Sequence, residues 1–484
     1  MIHRKRLFLV GICVALLWIV ALPLNAQQEQ PSALSGFEPS ELYDVTDREP
    51  LKADNEFLIR LLFRTANASL ESWERYSKFT RNISIDALSE DPQPHRFRVF
   101  ELSGRVKMVW PFRLPQAYEN SKLKGFYLVR VESTDGEPYM IACRSLPRVW
   151  PVRTPIDEPI RCYGFFQTLA DCSSPLDSAI GRELGGKLQC APLFVTDRLS
   201  WFPDRWNELN GVSESQVRLA RHGVDIGQFE FVQQNNNRSI TEQDATCFFQ
   251  MLAAVRQLNV GDFKGERANF IELLQNPQEH FGGAVQFTGH VKRAVRIYID
   301  RKAVRERMGV DFYYELDMFI PLGDSRIVIK NALSGAAGEK SEDLVYQNRF
   351  PATVCVLQLP ETTEEIRGKR VTIDGFFMKF WNYESEFTAG LNPTLGQVSP
   401  LVIGIEPMIN NSSRNAIDTI LMAILAAMGV GVVGLILYFR RSDQRLRNHR
   451  AQPAKEFEWS RFEGPDLSDE PEGHGSEDSD IELR

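Results

Sequence analysis

Histidine is scarce in this chain: seven in 484 residues. Four of them, His95, His222, His280 and His290, lie between two long apolar segments. None has H-E-x-x-H or H-x-x-x-H spacing, which removes the usual zinc-hydrolase signature. C-x-x-C is absent, and with it the thioredoxin-like redox signal. No G-x-S-x-G elbow, phosphate-binding loop or dinucleotide glycine pattern occurs. The sequence therefore assigns no catalytic residue, no metal ligand and no cofactor. An excess of positive charge is missing too. The formal net charge is -8, and from Ala451 to Arg484 eleven Asp/Glu stand against three Lys/Arg. That stretch carries the whole net charge and the remainder is near neutral, so nucleic acid is not an expected partner.

The two apolar segments set the topology. Arg4, Lys5 and Arg6 precede the apolar run Leu7–Leu24, and Ala26 is followed by Gln27-Gln28-Glu29-Gln30. A basic head, an apolar middle and a small residue before a polar stretch predict a signal peptide over 1–26, with an uncleaved anchor as the rival. Residues 27–50 follow as a linker. The second segment, within 416–439, has an uncharged stretch from Thr419 to Phe439. It is long enough to cross a bilayer of about 30 Å. Arg440, Arg441, Arg445, Arg447 and Arg450 come next, which places the C-terminus in the cytoplasm and the N-terminal region in the periplasm or outside the cell. Ala423, Ala427 and Gly431 recur every fourth residue and are candidate helix-packing positions for a homodimer. Residues 440–484 read as a basic, then acidic, disordered tail.

Seven cysteines are present. Export is a disulfide-permissive context, and Cys143, Cys162, Cys172 and Cys190 are the candidates for pairing; free, buried thiols are the alternative.

The exported region reads as one unit occurring twice, over 51–240 and 241–412. Phe100–Lys107 resembles Val285–Lys292, with Gly104 and Gly289 separated by 185. Phe126-Tyr127 is set against Phe312-Tyr313, Leu146-Pro147 against Leu359-Pro360, Gly164-Phe165-Phe166 against Gly375-Phe376-Phe377, and Pro192-Leu193 against Pro400-Leu401. One insertion over about 323–349, holding the Gly- and Ser-rich stretch Ser334–Ser341, accounts for the single jump in offset and reads as an exposed loop. Upstream, Asp54–Leu62 and Asp244–Leu252 each place an acidic residue before an apolar-periodic run, as a capped helix does.

Each unit then offers five strands: 96–107, 126–132, 139–143, 160–169 and 193–195 in the first, and 285–299, 312–320, 353–357, 371–380 and 401–405 in the second. A glycine in the first strand suits a sharply bent strand of a small barrel. The fold class is α+β, mainly β: a tandem duplicated helical lead-in plus a five-stranded barrel, then one transmembrane helix and a disordered tail. The size and order are similar to an OB-like barrel. Cationic and aromatic residues cluster in each copy, with Arg105, Lys107, Trp110 and Arg113 in the first and Lys292 and Arg296 in the second. They are the candidate surface-binding residues, for an anionic envelope polymer or an acidic protein. The expected function is a single-pass membrane-anchored envelope protein with two exported, non-enzymatic binding modules. An envelope hydrolase with an unrecognised site is the alternative.

Overall fold

The structure is a computed structural model that describes residues 34, 37–43, 45–49, 55–114, 116–118, 123–171, 190–207, 210–258, 264–329, 344–383, 396–410 and 414–449. The expected signal segment, Cys172, the Ser334–Ser341 stretch and the tail from Ala451 onward lie outside these residues.

The architecture is mixed α/β with mainly strands. The N-terminal helices are α1 (Pro39–Tyr43), α2 (Glu56–Thr65), α3 (Leu70–Ser77) and α4 (Ile85–Glu90). The first sheet follows: β1 (Val99–Arg113), β2 (Gly125–Ser133), β3 (Pro138–Ser145), β4 (Glu158–Asp171), β5 (Cys190–Arg198) and β6 (Ser200–Trp201). Its order is β1-β2-β3-β5-β4-β6, and β1 also pairs with β4, which closes the first five strands into a barrel. Helices α5 (Glu214–Arg221), α6 (Phe229–Gln234) and α7 (Glu242–Val255) lead to β7 (Glu266–Arg267), α8 (Phe270–Gln275) and α9 (Pro277–His280). The second sheet comprises β7, β8 (Ala284–Tyr298), β9 (Phe312–Ile329), β10 (Leu344–Val356), β11 (Arg370–Tyr383), β12 (Gln397–Gly404) and β13 (Met408–Ile409), with α10 (Lys302–Met308) between β8 and β9. Here the order is β13-β11-β12-β10-β9-β8-β7, and β11 also pairs with β8.

The two ladders share their pairing pattern. The β3–β5 and β10–β12 pairs are parallel, while the other pairs among the five long strands of each sheet are antiparallel. Register shifts fall between Val106 and Met108 and between Phe166 and Thr168 in the first sheet. In the second they fall between Val291 and Arg293 and between Phe377 and Lys379, with a further shift between Gln347 and Arg349 that the first sheet lacks. Ahead of each barrel a non-glycine residue sits at positive φ, Arg48 at 64° and Asn237 at 61°. The Arg48 N–H donates to the Leu169 carbonyl at 2.7 Å, and the Asn237 N–H to the Phe380 carbonyl at 2.9 Å. The glycines of the first strands have a steric reason. A Cβ on Gly104 would overlap the Glu132 carbonyl, and one on Gly289 the Phe319 carbonyl.

The first barrel is apolar on two sides. Phe100, Leu102, Val106, Val129, Val131, Tyr139, Ile141, Phe166 and Phe194 belong to one buried cluster. Trp110, Phe126, Leu128, Met140, Ala142, Leu193 and Val195 belong to a second, together with Leu58, Ile59, Leu61 and Leu62 of α2. The spacing of those four α2 residues puts them on one helical face, and each contributes about 1.5–3 kcal/mol on burial. The caps differ from expectation. Asn55 caps α2 through Leu58 N, and Asp54 lies outside the described residues. Thr241 caps α7, and Asp244 closes the capping box three residues in.

The described residues of the expected insertion, 323–329 and 344–349, extend a ribbon. β9 and β10 continue past the barrel, with Val328 opposite Val345 and Ile327 opposite Tyr346. In the first sheet the same connection is a tight turn with Gly136 at φ 88°.

Residues 411–484 form a separate unit. Within it α11 (Arg414–His449) includes Met422–Ser442, 21 residues of mean hydropathy 2.4 with none of the span buried in protein. This helix is long and apolar enough to cross a membrane. Ala423, Ala427 and Gly431 are exposed on it, and the helix continues unbroken through Arg440 and Arg441.

Candidate binding surfaces

The cationic residues of β1 fall into two groups. Arg105 donates from Nε and Nη2 to the Asp157 carboxylate at 2.8 Å each, and from Nη1 to Asp204 at 2.7 Å. Lys107 Nζ donates to Asp157 at 2.8 Å. These bonds, Arg105 first, hold the Asp157 carboxyl well below the usual carboxylate range. Trp110 is 1% exposed, beneath the helical lead-in. Arg105, Lys107 and Trp110 therefore do not form the stacking surface expected from sequence: the two cations are neutralised locally and the ring faces the core. Arg113, at the end of β1, is exposed and has no ion pair among the described residues.

In the second sheet cations and rings lie together. The Arg296 guanidinium lies 4.7 Å from the Phe312 ring centroid and 5.2 Å from that of Tyr314, and donates to the Tyr314 hydroxyl at 2.7 Å. Tyr298, opposite Phe312 in register, is 64% exposed. Lys292 Nζ and the Arg349 guanidinium approach the Phe319 ring at 5.5 and 4.5 Å. Such cation–ring contacts are attractive and favour keeping both groups together.

The two places correspond. Counting rungs beyond the register shift, Pro111 and Arg113 are fourth and sixth on β1, opposite Tyr127 and Gly125. Arg296 and Tyr298 are fourth and sixth on β8, opposite Tyr314 and Phe312. In the first barrel this ribbon end opens into a cleft of about 950 Å³ bounded by the end of β3, the end of β5 and α6.

A polar face on the second barrel was missed in the sequence. Arg293 donates to Glu315 at 2.8 Å and to Asp317 at 2.6 Å. Burial, then the Asp317 charge, raises the Glu315 carboxyl. Burial and Asp317 push the Tyr383 phenol up to about 12. The register positions of Glu315 and Thr353 are occupied in the first barrel by Leu128 and Met140. Only the alternation of Glu315 and Asp317 along one strand hinted at the face.

The candidate disulfide cysteines are not joined to one another. Cys143, Cys162 and Cys190 are free thiols, the first two buried in the barrel and the third exposed at the start of β5. Cys143 and Cys162 share one apolar cluster as reduced thiols, and Cys172 lies outside the described residues. Burial raises the Cys143 and Cys162 thiols. Among the described residues, no group of three His, Cys, Asp or Glu side chains could hold a metal ion.

No protein-family model matches this chain, and no curated protein matches it. Among solved structures it is similar to one described as Plasmodium falciparum SSB complex with ssDNA, at 8% identity and a TM-score of 0.13, over 26% of this chain and 94% of that chain; a likeness this slight does not bear on fold or ligand.

Proposed function

We propose that the chain is a single-pass membrane-anchored envelope protein whose exported region carries two related OB-like binding modules and no catalytic centre of its own. Duplication is supported by the shared strand order, by bulges recurring at 185 and 211 residues' separation, and by Arg48 and Asn237 at matched positions. Membrane anchoring is supported by the apolar span of α11 and the arginines that follow it. In this reading residues 1–26 direct export, the modules lie in the periplasm or outside the cell, and the acidic tail is cytoplasmic.

The observation that carries the binding role is the exposed Arg296 over the half-buried Tyr314 and Phe312 rings, at the ribbon end where the first barrel presents Arg113. Duplicated modules of this kind gain apparent affinity when both engage one partner. The full chain in detergent, immobilised and passed over envelope extract, retains an envelope component. Arg296→Ala weakens that retention. Repeated recovery of nothing by the wild-type chain contradicts the reading.

A second reading, an envelope hydrolase, is favoured by Glu315, whose side chain is 15% exposed with a raised carboxyl, as a proton donor requires. It predicts cleavage of an envelope polymer that Glu315→Gln abolishes. Absence of cleavage by the wild-type chain rejects it.

A further inference from the structure

We propose that the cleft at the Arg113 end of the first barrel binds a carboxylate-bearing sugar chain. This rests on the export reading above, which makes an envelope glycan available, and goes beyond it in naming a site and a ligand class. The cleft's lining carries five cationic side chains, Arg113, Lys124, Arg144, Arg148 and Arg198, against two carboxylates, Asp197 and Glu230.

The acids are already engaged. Asp197 pairs with Arg144 at 3.4 Å. Glu230 lies 3.9 Å from the Arg148 guanidinium and accepts the Arg148 backbone N–H at 2.6 Å. Arg198 is committed to the buried Asp225 at 2.7 Å and rests on the Phe231 ring at 5.2 Å. The surplus charge therefore sits with Arg113, which has no partner among the described residues, and with Arg148, whose side chain is 75% exposed. Nε of Arg144 is buried with no hydrogen-bond partner among the described residues.

Much of the rest of the lining is apolar and partly planar, including Pro111, Tyr127, Pro147 and Phe231, with Phe112 and Phe126 stacked at 5.1 Å; Ser145 and Gln234 are polar. A volume of about 950 Å³ is at the upper end for a recessed site, room for more than one sugar ring. Guanidinium groups recognise carboxylates through paired donors, and ring faces cover the apolar face of a sugar. A uronic acid unit carries both features side by side. Oligoglutamate has the charge without the ring, and a flat lipid surface does not enter a recess.

The test uses the full chain in detergent and three fluorescent probes of equal length: an oligogalacturonate, the neutral oligogalactose and oligoglutamate. The oligogalacturonate binds saturably and more weakly as salt rises, and at least about tenfold more tightly than either of the others. Arg113→Ala with Arg148→Ala weakens it by about tenfold or more, while Lys302→Ala, at an exposed residue of α10, does not change it. Circular dichroism and Tm show that each variant is folded; should the double variant unfold, Arg113→Ala alone, at an exposed and unpaired residue, provides the comparison. Equal binding of oligoglutamate, no binding of the oligogalacturonate, or binding indifferent to Arg113→Ala in folded protein each overturns the proposal. If an envelope component is nevertheless retained through Arg296, the binding role stands and only the cleft assignment falls.

Discussion

Lys379 Nζ lies 2.8 Å from Asp244 Oδ2, with both side chains fully buried. The lysine stands at the bulge of β11 and the aspartate in the first turn of α7, where it also accepts the Thr241 N–H at 3.1 Å. The pair fastens the helical lead-in to the second barrel. At the matching bulge of the first barrel Thr168 Oγ1 donates to Asp47 at 2.9 Å. Threonine thus stands at one bulge where lysine stands at the other, and Asp47, which lies ahead of α2 rather than in it, also pairs with Arg96.

Removing one partner of a buried pair leaves the other charged and unpaired. Lys379→Met is expected to cost about 3–5 kcal/mol, and the double variant with Asp244→Leu much less than the sum of the single changes. Urea unfolding of the four proteins measures this. Additive losses contradict the coupling.

Asp157 supplies the acid-sensitive contribution. Its carboxyl is lowered by Arg105 and then Lys107, so between its folded value and the ordinary 3.8 the unfolded chain binds more protons than the native one. The stabilisation is complete above the ordinary value and is lost as pH falls below it. Because Asp157 is 40% exposed, solvent screening limits the effect at neutral pH to about 0.5–1 kcal/mol. Asp157→Asn is expected to lose that amount at pH 7, with the difference from wild type shrinking below pH 4. A difference that grows toward acid contradicts the assignment.

Thiol reactivity follows burial. Cys143, Cys162, Cys247 and Cys355 are buried with raised thiols, so an alkylating reagent at neutral pH reaches them only after denaturation. Cys190 is exposed and labels in the native chain. Peptide mass mapping before and after guanidinium checks the order, and rapid native labelling of Cys143 or Cys162 contradicts the barrel interior.

The strands were legible because both barrels alternate or run apolar where they are buried. All ten long-strand predictions overlap a strand, and Gly104 and Gly289 marked the strand each crowds. The pairing of Phe126-Tyr127 with Phe312-Tyr313 is one residue short: the registers set Phe126-Tyr127 against Tyr313-Tyr314. Three aromatic residues in a row give a sequence match two equal choices, and only cross-strand partners decide between them. The β9–β10 ribbon was hidden because most of its residues are exposed on both faces, which leaves little burial period to read. The cationic clusters were legible as residue types. Their partners were not: Asp157 is 52 residues from Arg105, and Asp244 is 135 from Lys379.

The binding role makes one direct demand on the full chain. Retention of an envelope component by the wild-type protein should weaken with Arg113→Ala alone and with Arg296→Ala alone, and should fall further in the double variant than in either single one, with Tm preserved throughout. Retention unchanged in the folded double variant would contradict the claim that the two ribbon ends are the binding surfaces.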